Sequence, residues 1–127
     1  MSDLNKDLLR GGQFLVKETN CEDIFTPEDF SEEQTMMKEA VKEFNEREII
    51  PYKDRFEKKD YALTEETMRK AGELGFLGVA VPEEFGGLGM GFVSTMLTCD
   101  YISSGTGSFS TAFGAHTGIG TMPITLY

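Results

Sequence analysis

Residues 31–44, SEEQTMMKEAVKEF, decide the fold. Ser31 can cap the backbone N–H three residues on while Gln34 reaches back, the reciprocal arrangement of a capping box, with Phe30 placed to staple the entry. Met37, Ala40, Val41 and Phe44 then recur at helical spacing, and Lys38, Glu39, Lys42, Glu43 and Glu46 fall largely elsewhere, which predicts an amphipathic surface helix. Downstream, Pro51 restarts the chain, because its fixed φ suits a first helical turn, and a short charged helix is expected over 51–59. Thr64 is read as the cap of the next helix, with Met68, Ala71 and Leu74 as its buried side, Gly75 as its left-handed terminator and Phe76 packing back.

Val79-Ala80-Val81 is the one short β-branched run, and no second alternating run offers it a partner, so it is read as extended loop. Phe92, Val93, Met96, Leu97 and Tyr101 form a wide stripe that predicts a mostly buried helix. A last helix is expected over about 107–120, where Gly114, Gly118 and Gly120 lower helix propensity by about 1 kcal/mol each relative to alanine, so that close backbone contact must compensate. The fold class is therefore all-α. At 127 residues the chain has room for one domain with a hydrophobic core. Residues 1–30, with a Gly11-Gly12 break, an apolar patch at Phe14-Leu15-Val16 and the turn signal Thr26-Pro27-Glu28-Asp29, read as an extension.

Charge is distributed unevenly. The first 66 residues carry 18 of the 22 acids and 10 of the 12 bases, whereas the 43 residues after Glu84 hold one ionised side chain, Asp100. A stretch so poor in charge and so rich in Phe, Met, Leu, Ile and Gly would present a large apolar patch to water, so a covering surface outside it is expected. The closing run Met122-Pro123-Ile124-Thr125-Leu126-Tyr127 has no cap or polar tail, and the chain is read as a fragment of something larger. A net charge of −10 disfavours nucleic acid, whose binders need clustered Lys and Arg. The amino terminus lacks secretory and transit features, and no apolar run approaches the length of a membrane span. Cys21 and Cys99 lie far apart without a metal or redox spacing, so a reducing cytoplasm fits best.

Chemical motifs are sparse. Gly86-Gly87-Leu88-Gly89-Met90-Gly91 invites a phosphate-loop reading, but no Lys-Ser or Lys-Thr follows and the spacing fails at Phe92, which favours a tight structural loop. Gly105-x-Gly107 fails the same test at Ser110. No serine sits in a nucleophile elbow, His116 is the only imidazole, and it reads as a hydrogen-bonded packing residue. Glu83-Glu84 reads as a cap or a solvated pair, and metal-ligand clusters are absent. Gly114-Ala115-His116-Thr117-Gly118 differs in kind, because two small residues four apart let either another helix or an elongated ligand approach closely.

From about Phe30 to Leu126 the chain closely resembles the amino-terminal helical domain of acyl-CoA dehydrogenases. The likeness is carried by Leu74-Gly75-Phe76-Leu77-Gly78 leading into Val81-Pro82-Glu83-Glu84-Phe85-Gly86-Gly87-Leu88-Gly89, and by Ala112-Phe113-Gly114-Ala115-His116-Thr117-Gly118-Ile119-Gly120. The second stretch is similar to a pattern of very-long-chain members and departs from it at Thr117-Gly118; Gly12-Gln13-Phe14 looks like the extension of that subgroup. The resemblance implies an orthogonal helical bundle over residues 31–127 that packs on later domains, which bind FAD and supply the catalytic glutamate. It also implies oxidation of an acyl-CoA, of long chain, to the trans-2-enoyl-CoA in fatty acid beta-oxidation. An electron-transfer flavoprotein as acceptor and a homo-oligomeric enzyme follow from the same source. Carried over by position, Thr111, Gly114, Ala115, Gly118 and Ile119 would face the acyl chain, and no catalytic or cofactor residue falls in this chain. The rival from another class is a free-standing helical interaction module whose apolar half binds a partner protein.

Overall fold

In a computed structural model, Leu9 and residues 11–127 are described, and every regular element among them is a helix or a helical turn. They divide into a unit ending at Ser31 and a unit spanning Glu32–Tyr127. The first unit is built from single tight turns, Gly11–Leu15, Cys21–Asp23 and Pro27–Asp29. An aspartate closes two of them: Asn20 N–H donates to Asp23 at 3.1 Å, and Thr26 N–H donates to Asp29 at 2.9 Å.

The second unit begins with α1, Glu32–Phe44, which runs on through a wide π turn, Asn45–Ile49, and a tight turn, Ile50–Tyr52, into α2, Lys53–Glu57. Then come α3, Tyr61–Glu73, and α4, Phe92–Ser103; α5, Gly107–Gly114, continues through a second π segment, Ala115–Thr121, into α6, Met122–Leu126. The helix expected to end near 120 therefore reaches Leu126. Both π segments end two residues before a proline, Pro51 and Pro123. A proline in a helix removes one backbone bond and its ring crowds the carbonyl four residues back, here Arg47 and Ile119. Both carbonyls lie inside the widened segments, where i→i+5 pairing opens the space the rings need.

The core joins Val41, Phe44 and Ile49 to Phe56, Leu63, Ala71, Phe76, Ile102, Phe109 and Phe113. Helices α1 and α4 pack against each other. α4 turns Ser94, Thr98 and Ile102 inward and leaves Phe92 at 76% exposure and Met96 at 42%, against the expected stripe at those two positions. Small side chains allow the two helices to approach, and the Thr98 hydroxyl is satisfied within α4 by donating to the Ser94 carbonyl at 2.9 Å. Phe92 and Met96 are thereby directed outward, whereas Val93 and Leu97 are half-buried and Tyr101 packs against the core.

The cap of α3 also differs from expectation. Asp60 holds that position, accepting from Leu63 N–H at 3.1 Å, and Arg55 donates to it at 2.7 and 2.9 Å. A carboxylate complements the helix dipole better than a hydroxyl, and Thr64 lies inside the helix, donating back to the Asp60 carbonyl at 3.0 Å. The Leu63 N–H first, and Arg55 second, hold the Asp60 carboxyl below its ordinary range. Thr67 takes the buried place expected for Leu74, which is exposed. Gly75 closes α3 with φ +82°, and Phe76 packs edge-on against Phe44 at 5.5 Å, as expected. Val79-Ala80-Val81 is turn rather than extended loop, with both valines buried.

Candidate functional site

Five successive backbone N–H groups decide what the glycine-rich loop can do. Those of Gly86, Gly87, Leu88, Gly89 and Met90 donate to the carbonyls of Glu83, Pro82, Gly78, Val81 and Val79 at 2.9–3.2 Å. No member of this set is left to converge on an anion, so the loop is a structural tie, as the sequence suggests. Gly87 is required there, since a Cβ would overlap the Val81 carbonyl.

The helical run from Gly107 to Leu126 is two-sided. Phe109 and Phe113 are buried along one edge, with ring centroids 5.3 Å apart for Phe56 and Phe109 and 6.4 Å apart for Phe109 and Phe113. Across from them Thr111, Gly114, Ala115, Gly118 and Ile119 are all exposed, Ile119 by 81%. A Cβ built on Gly114 or Gly118 meets nothing within 4 Å. The small residues therefore do not serve helix packing inside this chain. The structure brings all five onto one accessible stretch. It leaves His116 exposed beside them, where a hydrogen-bonded packing residue was expected.

The hydroxyls of this stretch are already engaged. Thr111, Thr117 and Thr121 spend their hydroxyl protons on the carbonyls of Gly107, Phe113 and His116 at 2.8–2.9 Å. With those donors satisfied, a surface of methyl groups, glycine and isoleucine remains. Phe85, Leu88, Phe92, Met96, Ile124 and Leu126 are exposed in the same low-charge half of the sequence. Such a surface suits an apolar, elongated ligand, and its one titratable side chain is the exposed His116 imidazole. Grooves along the outer side of α1 and between Phe44 and Leu74 involve none of the five residues. Among the described residues no group of three His, Cys, Asp or Glu side chains is placed to hold a metal, and no helix is long and apolar enough to cross a membrane. Both cysteines are free thiols, and burial pushes that of Cys99 up.

The corner that launches α5 is held from two sides. Buried Asn45, in the first π turn, donates through Nδ2 to the Tyr101 carbonyl at 2.7 Å and to Ser104 Oγ at 2.8 Å, and its Oδ1 is buried without a partner. A Cβ on Gly105 would run into that amide and into Ile49 at 2.7 Å, which fixes glycine at the corner. From α2, the Glu57 carboxylate accepts from the Thr106 hydroxyl, and from Ser108 Oγ at 2.9 Å and N–H at 3.5 Å. Sequence reading missed Glu57. The available signal was the Thr106-x-Ser108 pair at a helix start with no acidic residue in its first turn, but it does not say which distant acid answers.

Those hydroxyl bonds, Thr106 first and Ser108 second, hold the Glu57 carboxyl below its ordinary value of 4.5, with a small further push from Lys53. A carboxyl depressed on folding stabilises the folded state above its unfolded pKa, and this benefit is lost as pH falls through the lower folded value. In acid titrations followed by circular dichroism, Glu57→Gln is expected to lie below the parent protein at neutral pH. The gap should close in the acid range below 4.5. A gap that persists unchanged to the acid limit would rule out the carboxylate as its source.

Residues 31–127 match the family described as acyl-CoA dehydrogenase, N-terminal domain. A probable acyl-CoA dehydrogenase of Bacillus subtilis is 39% identical over 121 residues, covering 95% of this chain and 20% of that protein. A mitochondrial isovaleryl-CoA dehydrogenase of Solanum tuberosum is 33% identical, covering 71% of this chain and 22% of the relative. A glutaryl-CoA dehydrogenase of Desulfococcus multivorans is 36% identical, covering 60% and 20%. The crystal structure of a Bacillus anthracis acyl-CoA dehydrogenase complexed with FAD superposes with a TM-score of 0.80 at 41% identity, over 90% of this chain and 20% of that one. The chain thus spans about a fifth of the length of the relatives it matches.

Proposed function

The chain belongs to the acyl-CoA dehydrogenase family as its amino-terminal domain, and from that premise we propose that it serves a FAD-dependent dehydrogenase by forming part of the wall of its acyl-chain cavity. Residues 31–127 act as the domain and residues 1–30 as an extension of it. The observation that carries this reading is the exposed, uncharged stretch holding Thr111, Gly114, Ala115, Gly118 and Ile119. The glycine loop offers the flavin no phosphate cradle, since its N–H groups from Gly86 to Met90 are already bonded, and the family resemblance implies that FAD is held mainly by the remainder of such an enzyme. FAD supplies the oxidising chemistry when bound, and this chain contributes binding and exclusion of water.

The reaction is oxidation of an acyl-CoA to the trans-2-enoyl-CoA in fatty acid beta-oxidation, with an electron-transfer flavoprotein as acceptor and a homo-oligomeric enzyme as the working form. A long, very-long-chain-like substrate is favoured by the open space beside Gly114 and Gly118. Each methylene buried there contributes about 0.8 kcal/mol. Two free cysteines suit a reducing cytoplasm.

The test is to purify the dehydrogenase that carries this domain, record its visible spectrum, and add palmitoyl-CoA or isovaleryl-CoA without oxygen. Yellow flavin absorbance that bleaches with palmitoyl-CoA and not with isovaleryl-CoA is expected. Bleaching with isovaleryl-CoA alone overturns the long-chain preference. A colourless protein that does not take up FAD overturns the flavoenzyme and leaves the interaction module, to which exposed Phe92 and Met96 would then belong.

A further inference from the structure

We infer that Glu57 is a positioning residue for the acyl-chain wall: its carboxylate fixes the first turn of α5 and so sets where Thr111, Ala115 and Ile119 stand. The inference rests on the wall reading given above. The first turn of α5 contains no acidic residue, and the Thr106 side chain makes no cap to its own helix. The polar groups at that end turn instead to a carboxylate 49 to 51 residues earlier. Thr106 and Ser108 hydroxyls and the Ser108 N–H reach both carboxylate oxygens, so the helix start is fixed in direction as well as position.

The neighbouring residue on α2 reinforces the grip. Phe56 is buried and its ring lies 5.3 Å from that of Phe109. Two adjacent side chains of a five-residue helix, one apolar and one ionised, thus hold the base of α5. Beyond that base the Ala115–Thr121 segment is met, outside its own helical run, by the Phe76–Gly78 turn. A small rotation at the Glu57 junction is therefore carried outward into the wall. Asn45 cannot play this part alone, because it grips the end of α4 through Tyr101 and Ser104. Glu57 is exposed, so removing its charge leaves the core intact.

Two measurements decide it. In the 127-residue chain, Glu57→Gln and the double substitution Thr106→Val with Ser108→Ala should each speed hydrogen exchange at the amides of Ser110, Thr111 and Ala112 by about tenfold, while amides of α3 keep their protection. Unchanged exchange in α5, or equal loss in α3, overturns the inference. In the flavin-loaded dehydrogenase, Glu57→Gln should raise KM for palmitoyl-CoA about fivefold and leave kcat for butanoyl-CoA unchanged. A uniform fall for both substrates marks a merely structural role and also overturns it. If the unsubstituted enzyme bleaches with no acyl-CoA, the wall reading itself fails, and the exchange data alone decide whether Glu57 holds α5.

Discussion

Ala115→Phe is expected to abolish most palmitoyl-CoA turnover by the dehydrogenase while leaving butanoyl-CoA turnover intact. Ala115 is exposed between Gly114 and Gly118, neither of which has a neighbour within 4 Å of a built Cβ. A phenyl ring placed there occupies the space that the wall reading assigns to the distal acyl chain. A chain denied burial of four methylenes loses about 3 kcal/mol, roughly two-hundredfold in kcat/KM. The short substrate does not extend to the wall and loses nothing. Because the site faces outward in this domain, the substitution should not lower its unfolding midpoint, which separates blocked binding from misfolding. Equal retention of both activities would remove Ala115 from the cavity.

Phe109→Ala is expected to cost about 3–5 kcal/mol of stability, the range for a large ring removed from a packed core. Phe109 is fully buried between Phe56 and Phe113, so the cavity cannot be relieved by a shift toward solvent. Whole domains are stable by only about 5–15 kcal/mol, so the variant should unfold at far lower urea concentration or lose its cooperative transition. Phe92→Ala is the matched control, because that ring is 76% exposed and its removal should shift stability by no more than about 0.5 kcal/mol in the isolated chain. Equal midpoints for the two variants would contradict the burial pattern.

The contrast between those two phenylalanines also shows what could be read from residues alone. α1, the Gly75 terminator and the helix after Gly107 were legible because each is encoded by local spacing or by one backbone-specific residue, whereas the restart expected at Pro51 is a continuous helical run that widens ahead of the proline. The orientation of α4 was not. Hydrophobicity ranks Phe92 and Met96 as core, yet the helix packs through Ser94 and Thr98, whose small size is what α1 requires. Asp60 outcompeted Thr64 as a cap because it also answers Arg55, a partner five residues away and on another helix. The wide segments Asn45–Ile49 and Ala115–Thr121 have no composition of their own; the prolines two residues beyond them were the available sign. For the candidate wall, the identities of the five residues were readable, but their exposure and the distant carboxylate at its base were not, since both depend on tertiary placement.

The loop tie between Gly78 and Met90 carries a consequence for folding order. Its bonds join residues no more than eleven apart, as in Met90 to Val79. Loops of about ten residues close in roughly 10–100 ns, long before distant elements meet. The Glu57 bonds to Thr106 and Ser108 span 49 to 51 residues and bear a larger closure entropy. On that kinetic scale the tie assembles early and the base of α5 late, so the surface proposed to meet substrate is among the last parts of the domain to take its place.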